Sequence, residues 1–204
     1  MTRERDSDAY DVASGIARGE LREKASRFLA FVIPIASAED ASRELARLTK
    51  EHHDASHVCF AWKLGTGDAA RRRASDAGEP GGTAGPPIAS AIEASLLTDV
   101  LVAVVRHFGG TKLGKGNLAR AYRAAAAGAL AATPRRQVWE TRTIEVTGPW
   151  DRVAAARKLI APPAIRLVEE DSGEECRLRL EVRAARLEEV RDRLRAARLP
   201  WRES

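Results

Sequence analysis

The residues best suited to chemistry are gathered in RHFGGTKLGKGNLARAY, Arg106–Tyr122. An apolar run, VLVAVVRHF, leads into the glycine-rich stretch GGTKLGKG, and the Ala-rich NLARAYRAAAAGAL follows it. The order is strand, glycine loop, helix. A helix start leaves backbone N–H groups unpaired, and glycines let such groups close on an anion. Lys112 and Lys115 add positive charge at the same end, with Arg106 before them and Arg120 after. Gly109, Gly110, Lys112, Gly114, Lys115, Arg106 and Arg120 are therefore candidate contacts for a phosphate or a nucleic-acid backbone. The spacing Gly109-x-x-x-x-Gly114-Lys115 is that of a nucleotide-binding P-loop, but Gly116 stands where that motif needs a Mg-binding Ser or Thr. An NTPase is disfavoured on that ground. The alternative is a tight turn that needs positive φ, with solvated lysines.

Two further segments carry titratable groups. HHDASHVC places His52, His53, His57 and Cys59 in a short span. His53 and His57 are four apart, as helical metal ligands are, but a change from helix to strand is expected between them. No second Cys/His cluster completes a ligand set, so a structural role is preferred and no metal is expected. SDAGEPGGTAGPP, Ser75–Pro87, holds Asp76 and Glu79 in a glycine-proline loop. Carboxylates do acid–base work only where they converge and at least one pKa is tuned, and carboxylates in turns are common. No catalytic residue is assigned. His53, His57, Asp76, Glu79 and Tyr122 are carried forward as a possible cleft.

These segments need elements to position them. Glu20–Pro34 reads as strand, and Ser37–Glu51 as a helix with Ser37 as N-cap and an Ala41, Leu45, Leu48 stripe. HVCFAWKLG alternates as a half-buried strand does. Thr66–Pro87 reads as a long loop, Ile88–Leu97 as a helix, and DVLVAVVRHF as a central strand buried on both faces. Residues Met1–Gly19 read as loose, with Tyr10 and Ile16 as points of attachment to a sheet edge. Beyond a linker at Thr133–Arg136 the order becomes βαββα with a last β at LPW, the split-βαβ pattern. Two α+β domains are expected, residues 1–135 and 136–204.

Composition agrees with a globular protein: 44% hydrophobic and 31% charged over 204 residues, with a formal net charge of +5. That charge permits an acidic partner without requiring one. Its distribution says more, because no Asp or Glu occurs from Val100 to Trp139. Two separated cysteines fit a reducing compartment, and neither a signal-peptide core nor a membrane-length apolar run is present. A cytoplasmic protein that makes no use of a membrane is expected.

Four ordered stretches, KASRFLA, HHDASHVCFAW, SDAGEPGGTAGPPI and VVRHFGGTKLGKGNLARAY, together resemble the signature of the YigZ/IMPACT family. The resemblance covers residues 10–133, and the tail agrees in pattern with the smaller second domain of bacterial members. It implies a two-layer, ribosomal-protein-like α/β sandwich domain followed by a ferredoxin-like βαββαβ domain. It also implies association with translation, since eukaryotic members regulate initiation through an additional domain. No cofactor is implied. RNA, the ribosome or a translation-associated protein are the partners it suggests. The sequence departs from the family pattern at Ala77 (usually Asp), Pro86 (usually basic), His107 (usually Tyr) and Asn117 (often Gly). The loss of one Asp weakens a metal or acid–base role for that loop. A non-enzymatic regulator that binds RNA or the ribosome is the first reading. An enzyme acting on a phosphorylated small molecule is the second, and it requires Glu79 and Lys112 to meet in one pocket. A protein-interaction module is the third.

Overall fold

The computed structural model describes residues 8–172 and 175–203. They form two compact units, one of residues 10–137 and one of residues 138–203 with Asp8 and Ala9. The first seven residues of the expected loose segment lie outside the described residues. The rest of that segment is ordered, as strand β1 (Ala9–Ala13) and the start of β2 (Ala17–Glu23).

The first unit continues through β3 (Ser26–Pro34), α1 (Ala38–Glu51), β4 (His57–Leu64), β5 (Arg71–Ser75), α2 (Gly85–Ser95), β6 (Leu97–Thr98), β7 (Val100–His107) and α3 (Lys115–Ala131). The single strand expected over residues 20–34 is a hairpin. Lys24 adopts φ 52° between β2 and β3, and Glu23 pairs with Ser26. Five strands form an antiparallel sheet in the order β2-β3-β7-β4-β5. Strand β7 lies at its centre, as its unbroken apolar run requires.

Alternation along the strands divides the core in two. Phe28, Ala30 and Val32 of β3, Cys59 and Ala61 of β4, and Val102 and Val104 of β7 face α2 and α3. Phe31, Ile33, Trp62, Leu101, Ala103 and Val105 face the other way, toward Ala41 and Leu48 of α1. Helices therefore cover both faces, and the unit has three layers where two were expected. Ser37 caps α1 as its type and position foretell, accepting a hydrogen bond from Asp40 N at 3.1 Å. The expected loop at residues 66–87 contains β5, an edge strand that pairs with β4, and the first turn of α2, where Pro86 and Pro87 need no backbone N–H. A smaller sheet has the order β6-β1-β8, where β8 is Arg135–Trp139 and β1 runs parallel to β6. The expected linker at 133–136 thus runs into a strand.

The second unit follows as β9 (Thr141–Gly148), α4 (Trp150–Arg157), β10 (Ile165–Ser172), β11 (Cys176–Arg183), α5 (Leu187–Ala196) and β12 (Trp201–Glu203). Its sheet has the order β10-β11-β9-β12, antiparallel throughout. Ile144, Val146, Leu178 and Leu180 pack against Val153 of α4 and Val190 and Leu194 of α5. Trp201 packs against this core, whereas Trp150 is 52% exposed, with the Arg157 guanidinium over its ring.

Candidate functional site

The site begins from sheet register. Arg106, the seventh residue of β7, lies opposite Phe28 on β3 and His57 on β4. It is two residues beyond Val104, so its side chain joins the face covered by α2 and α3. A guanidinium there is deeply buried (6% exposed) and needs a counter-charge. Glu79, whose side chain is 3% exposed, supplies it. The Arg106 Nη1–Glu79 Oε1 distance is 2.6 Å, and Tyr122 from α3 donates its hydroxyl to the same oxygen at 2.7 Å. Arg106 Nη2 donates to Ser26 Oγ at 3.3 Å. The guanidinium lies between the rings of Phe28 and Phe108, 5.5 and 5.3 Å from their centroids.

The loop carrying Glu79 is held by Asp76. The Asp76 carboxylate accepts three hydrogen bonds of 2.8 Å from the backbone N–H groups of Gly82, Ala84 and Gly85, and so secures the start of α2. Burial raises its pKa, but the three N–H donors outweigh burial and hold the carboxyl below its ordinary value. Asp76 is thus a loop anchor with no place in the pocket wall. His57 also holds the loop: its Nδ1–H donates to the Ala77 carbonyl at 2.9 Å. That bond leaves Nε2 3.9 Å from Glu79 Oε2. The single Cys59 S–H has two acceptors within reach, the Asp76 carbonyl at 2.9 Å and Tyr122 Oη at 3.3 Å. Burial pushes the Cys59 thiol up to about 12 and drives the Tyr122 phenol up as well.

Between β7 and α3 the glycine loop opens onto this centre. Gly109 is there for close approach, since a Cβ would lie 1.9 Å from the Ala25 carbonyl oxygen. Gly110 and Gly114 have φ of 86° and 79°, the left-handed region that glycine favours. Gly114 caps α3 without a side-chain hydrogen bond, and no acid stands in the helix's first turn. The first amides of α3 therefore keep their affinity for negative charge.

A pocket of about 440 Å³ joins these parts. Glu79 and Arg106 form its floor, with Ser56 and His57 beside them. Lys112, Gly114 and Lys115 stand on one side, and Phe108, Leu113, Leu118 and Pro80 supply apolar wall. Of the residues singled out from sequence, Arg106, Lys112, Gly114, Lys115, His57 and Glu79 meet here. Tyr122 lies buried behind Glu79, while Gly109 and Gly110 shape the loop without lining the pocket. Arg120 is exposed and bonds to Asn117, whose amide donates to the Leu113 carbonyl. His53 is 84% exposed, beside Asp54, and takes no part. Among the described residues no group of His, Cys, Asp and Glu could hold a metal ion. Sequence reasoning did not single out Ser26 and Ser56, although both lie within the stretches KASRFLA and HHDASHVCFAW, nor Phe108, which its place next to the glycines could have marked.

Residues 24–130 match the Impact N-terminal domain, a segment that contains every residue lining the pocket. The chain belongs to the IMPACT family. A Thermus thermophilus protein named as an IMPACT family member is 40% identical over 135 residues, 66% of this chain and 72% of that protein. The Bacillus subtilis member YvyE is 35% identical over 56% of this chain and 52% of its own length. The Escherichia coli member YigZ is 38% identical over 48% of this chain and 49% of its own length. The chain thus spans about half the length of those last two relatives. A solved structure of a hypothetical protein superposes with a TM-score of 0.73 at 24% identity, covering 96% of this IMPACT-family chain and 97% of its own, and establishes the fold alone.

Proposed function

We propose that this IMPACT-family chain is a cytoplasmic, translation-associated regulator that works by binding, and that it grips RNA, free or in the ribosome, through the Lys112–Lys115 rim of its pocket. The observation that carries the reading is the placement of Lys112, Lys115 and the uncapped start of α3 on one open pocket. Lysines and free backbone N–H groups are the usual contacts of a phosphate backbone. The family supports the link to translation. The state of the interior supports binding over catalysis. With its pKa near 12, Cys59 holds almost no thiolate at neutral pH and is a poor nucleophile.

We further assign the two units as the family's two domains, divided near residue 135. The first takes the ribosomal-protein-like class, extended by α1. The second takes the ferredoxin-like class, which its chain order of βαββαβ and sheet order β10-β11-β9-β12 support.

A second reading has one observation in its favour. His57, Glu79 and Lys112 line the same pocket, as an enzyme acting on a phosphorylated small molecule would require. Fluorescence anisotropy with a labelled single-stranded RNA separates the two. The binding reading expects Lys112→Ala with Lys115→Ala to weaken RNA binding without loss of fold, and unchanged affinity would remove the rim as the contact.

A further inference from the structure

We propose that the pocket accepts one nucleotide unit (base, ribose and phosphate), either as a free mononucleotide or as an unpaired position of an RNA strand. The inference rests on reading the glycine-loop rim as a phosphate contact, and it adds what fills the space behind that rim. The volume of about 440 Å³ lies within the roughly 300–1,000 Å³ typical of small-ligand sites. Its lining has three chemistries, and a nucleotide offers a match to each.

At the rim, Lys112, Lys115 and the free amides of α3 suit a phosphate. On the wall, Phe108 is 46% exposed although it is a large aromatic, and Leu113 and Leu118 line the pocket with it. An exposed aromatic beside cations is the pairing on which unpaired bases stack. At the floor stand groups whose hydrogen bonding is incomplete. Glu79 Oε1 accepts both protein hydrogen bonds, while Oε2 is 3.9 Å from His57 Nε2, beyond hydrogen-bond reach. Because His57 Nδ1–H is spent on Ala77, Nε2 is the ring nitrogen left without a protein hydrogen bond. A carboxylate oxygen and a ring nitrogen left open in this way suit the hydroxyl and amino groups that ribose and bases carry.

Simpler ligands leave part of this unused. Inorganic phosphate would engage the rim alone. An apolar ligand would waste the lysines. A base inside a duplex cannot enter, because its edge is paired and its faces are stacked, so the RNA source must be single-stranded.

Isothermal titration of the full chain with 5′-AMP, ribose 5-phosphate and inorganic phosphate tests the proposal, with displacement of a labelled single-stranded RNA as the second arm. AMP is expected to bind at least about tenfold more tightly than either fragment, and Phe108→Ala to weaken AMP by about 10–100-fold while leaving ribose 5-phosphate unchanged. Phe108→Leu, which keeps the bulk but not the π face, should lose most of the same factor. AMP binding no tighter than phosphate, or a Phe108→Ala variant that binds AMP as the parent does, overturns the nucleotide pocket. If AMP binds as expected and no RNA binds, the nucleotide pocket stands and the RNA function falls. If RNA binds through the lysines, AMP fails to displace it and duplex binds equally well, the RNA function stands and the nucleotide pocket falls.

Discussion

Removing Glu79 tests the architecture of the site most severely. Its carboxylate neutralises a guanidinium that is 6% exposed, and the two are 2.6 Å apart. Breaking a buried pair by deleting one partner costs about 3–5 kcal/mol, because the survivor stays charged and uncompensated. In Glu79→Ala, Arg106 keeps only the Ser26 hydroxyl and its two aromatic neighbours, and Tyr122 loses its acceptor. Arg106→Met leaves Glu79 with the Tyr122 hydroxyl alone. Each single change should therefore destabilise by about 3–5 kcal/mol. The double variant should fall short of the sum by about 2–3 kcal/mol, since no stranded charge remains. Urea denaturation gives the four stabilities, and an unchanged m-value shows that the denatured state is the same. Glu79→Gln, which keeps an acceptor oxygen and loses only charge, should lie between parent and Glu79→Ala. Additivity within about 0.5 kcal/mol would refute the reasoning, because it would mean that the two side chains do not hold one another.

Three other outcomes follow from local geometry. Gly109→Ala should destabilise by about 1–3 kcal/mol or more in the same denaturation assay, as its methyl would run into the Ala25 carbonyl. Ala77 has φ 44°, a conformation Asn visits more readily than Ala, so Ala77→Asn should raise stability by about 0.5–1 kcal/mol. A thiol raised from 9.0 to about 12 stabilises the fold fully below pH 9, and that contribution is lost as pH climbs from 9 toward 12, because only the unfolded thiol ionises there. Thermal melts across that range should show parent protein losing more stability than Cys59→Ala, and parallel curves would contradict the burial of Cys59.

Much of this was legible in the residues because it rests on local rules. The α1 cap at Ser37, the central burial of β7 and the loop-to-helix corner at 109–115 all follow from residue type and spacing. Three features did not show for definite reasons. The turn at Lys24 has no glycine or proline to mark it. Strand β5, RRRAS, is an edge strand with no buried side chain, so it lacks the apolar alternation by which strands are found. Asp76 and Glu79 looked equivalent, yet one faces backbone amides and the other a guanidinium 27 residues away. Spacing cannot separate them, because the difference is made by sheet register. His53 was grouped with His57 by proximity in sequence, but it sits in the exposed turn that follows α1, whereas His57 opens β4. The helix expected from Ile88 begins instead at Gly85, because Pro86 and Pro87 suit a first helical turn as well as they suit a loop.

The salt dependence of RNA binding decides the central claim. If the lysine rim grips phosphates, log K against log salt for a single-stranded RNA should be steep in the parent, and its slope should fall by about 1.4 in Lys112→Ala with Lys115→Ala, roughly 0.7 per lost contact. An RNA affinity and slope that the double substitution leaves unchanged would contradict it.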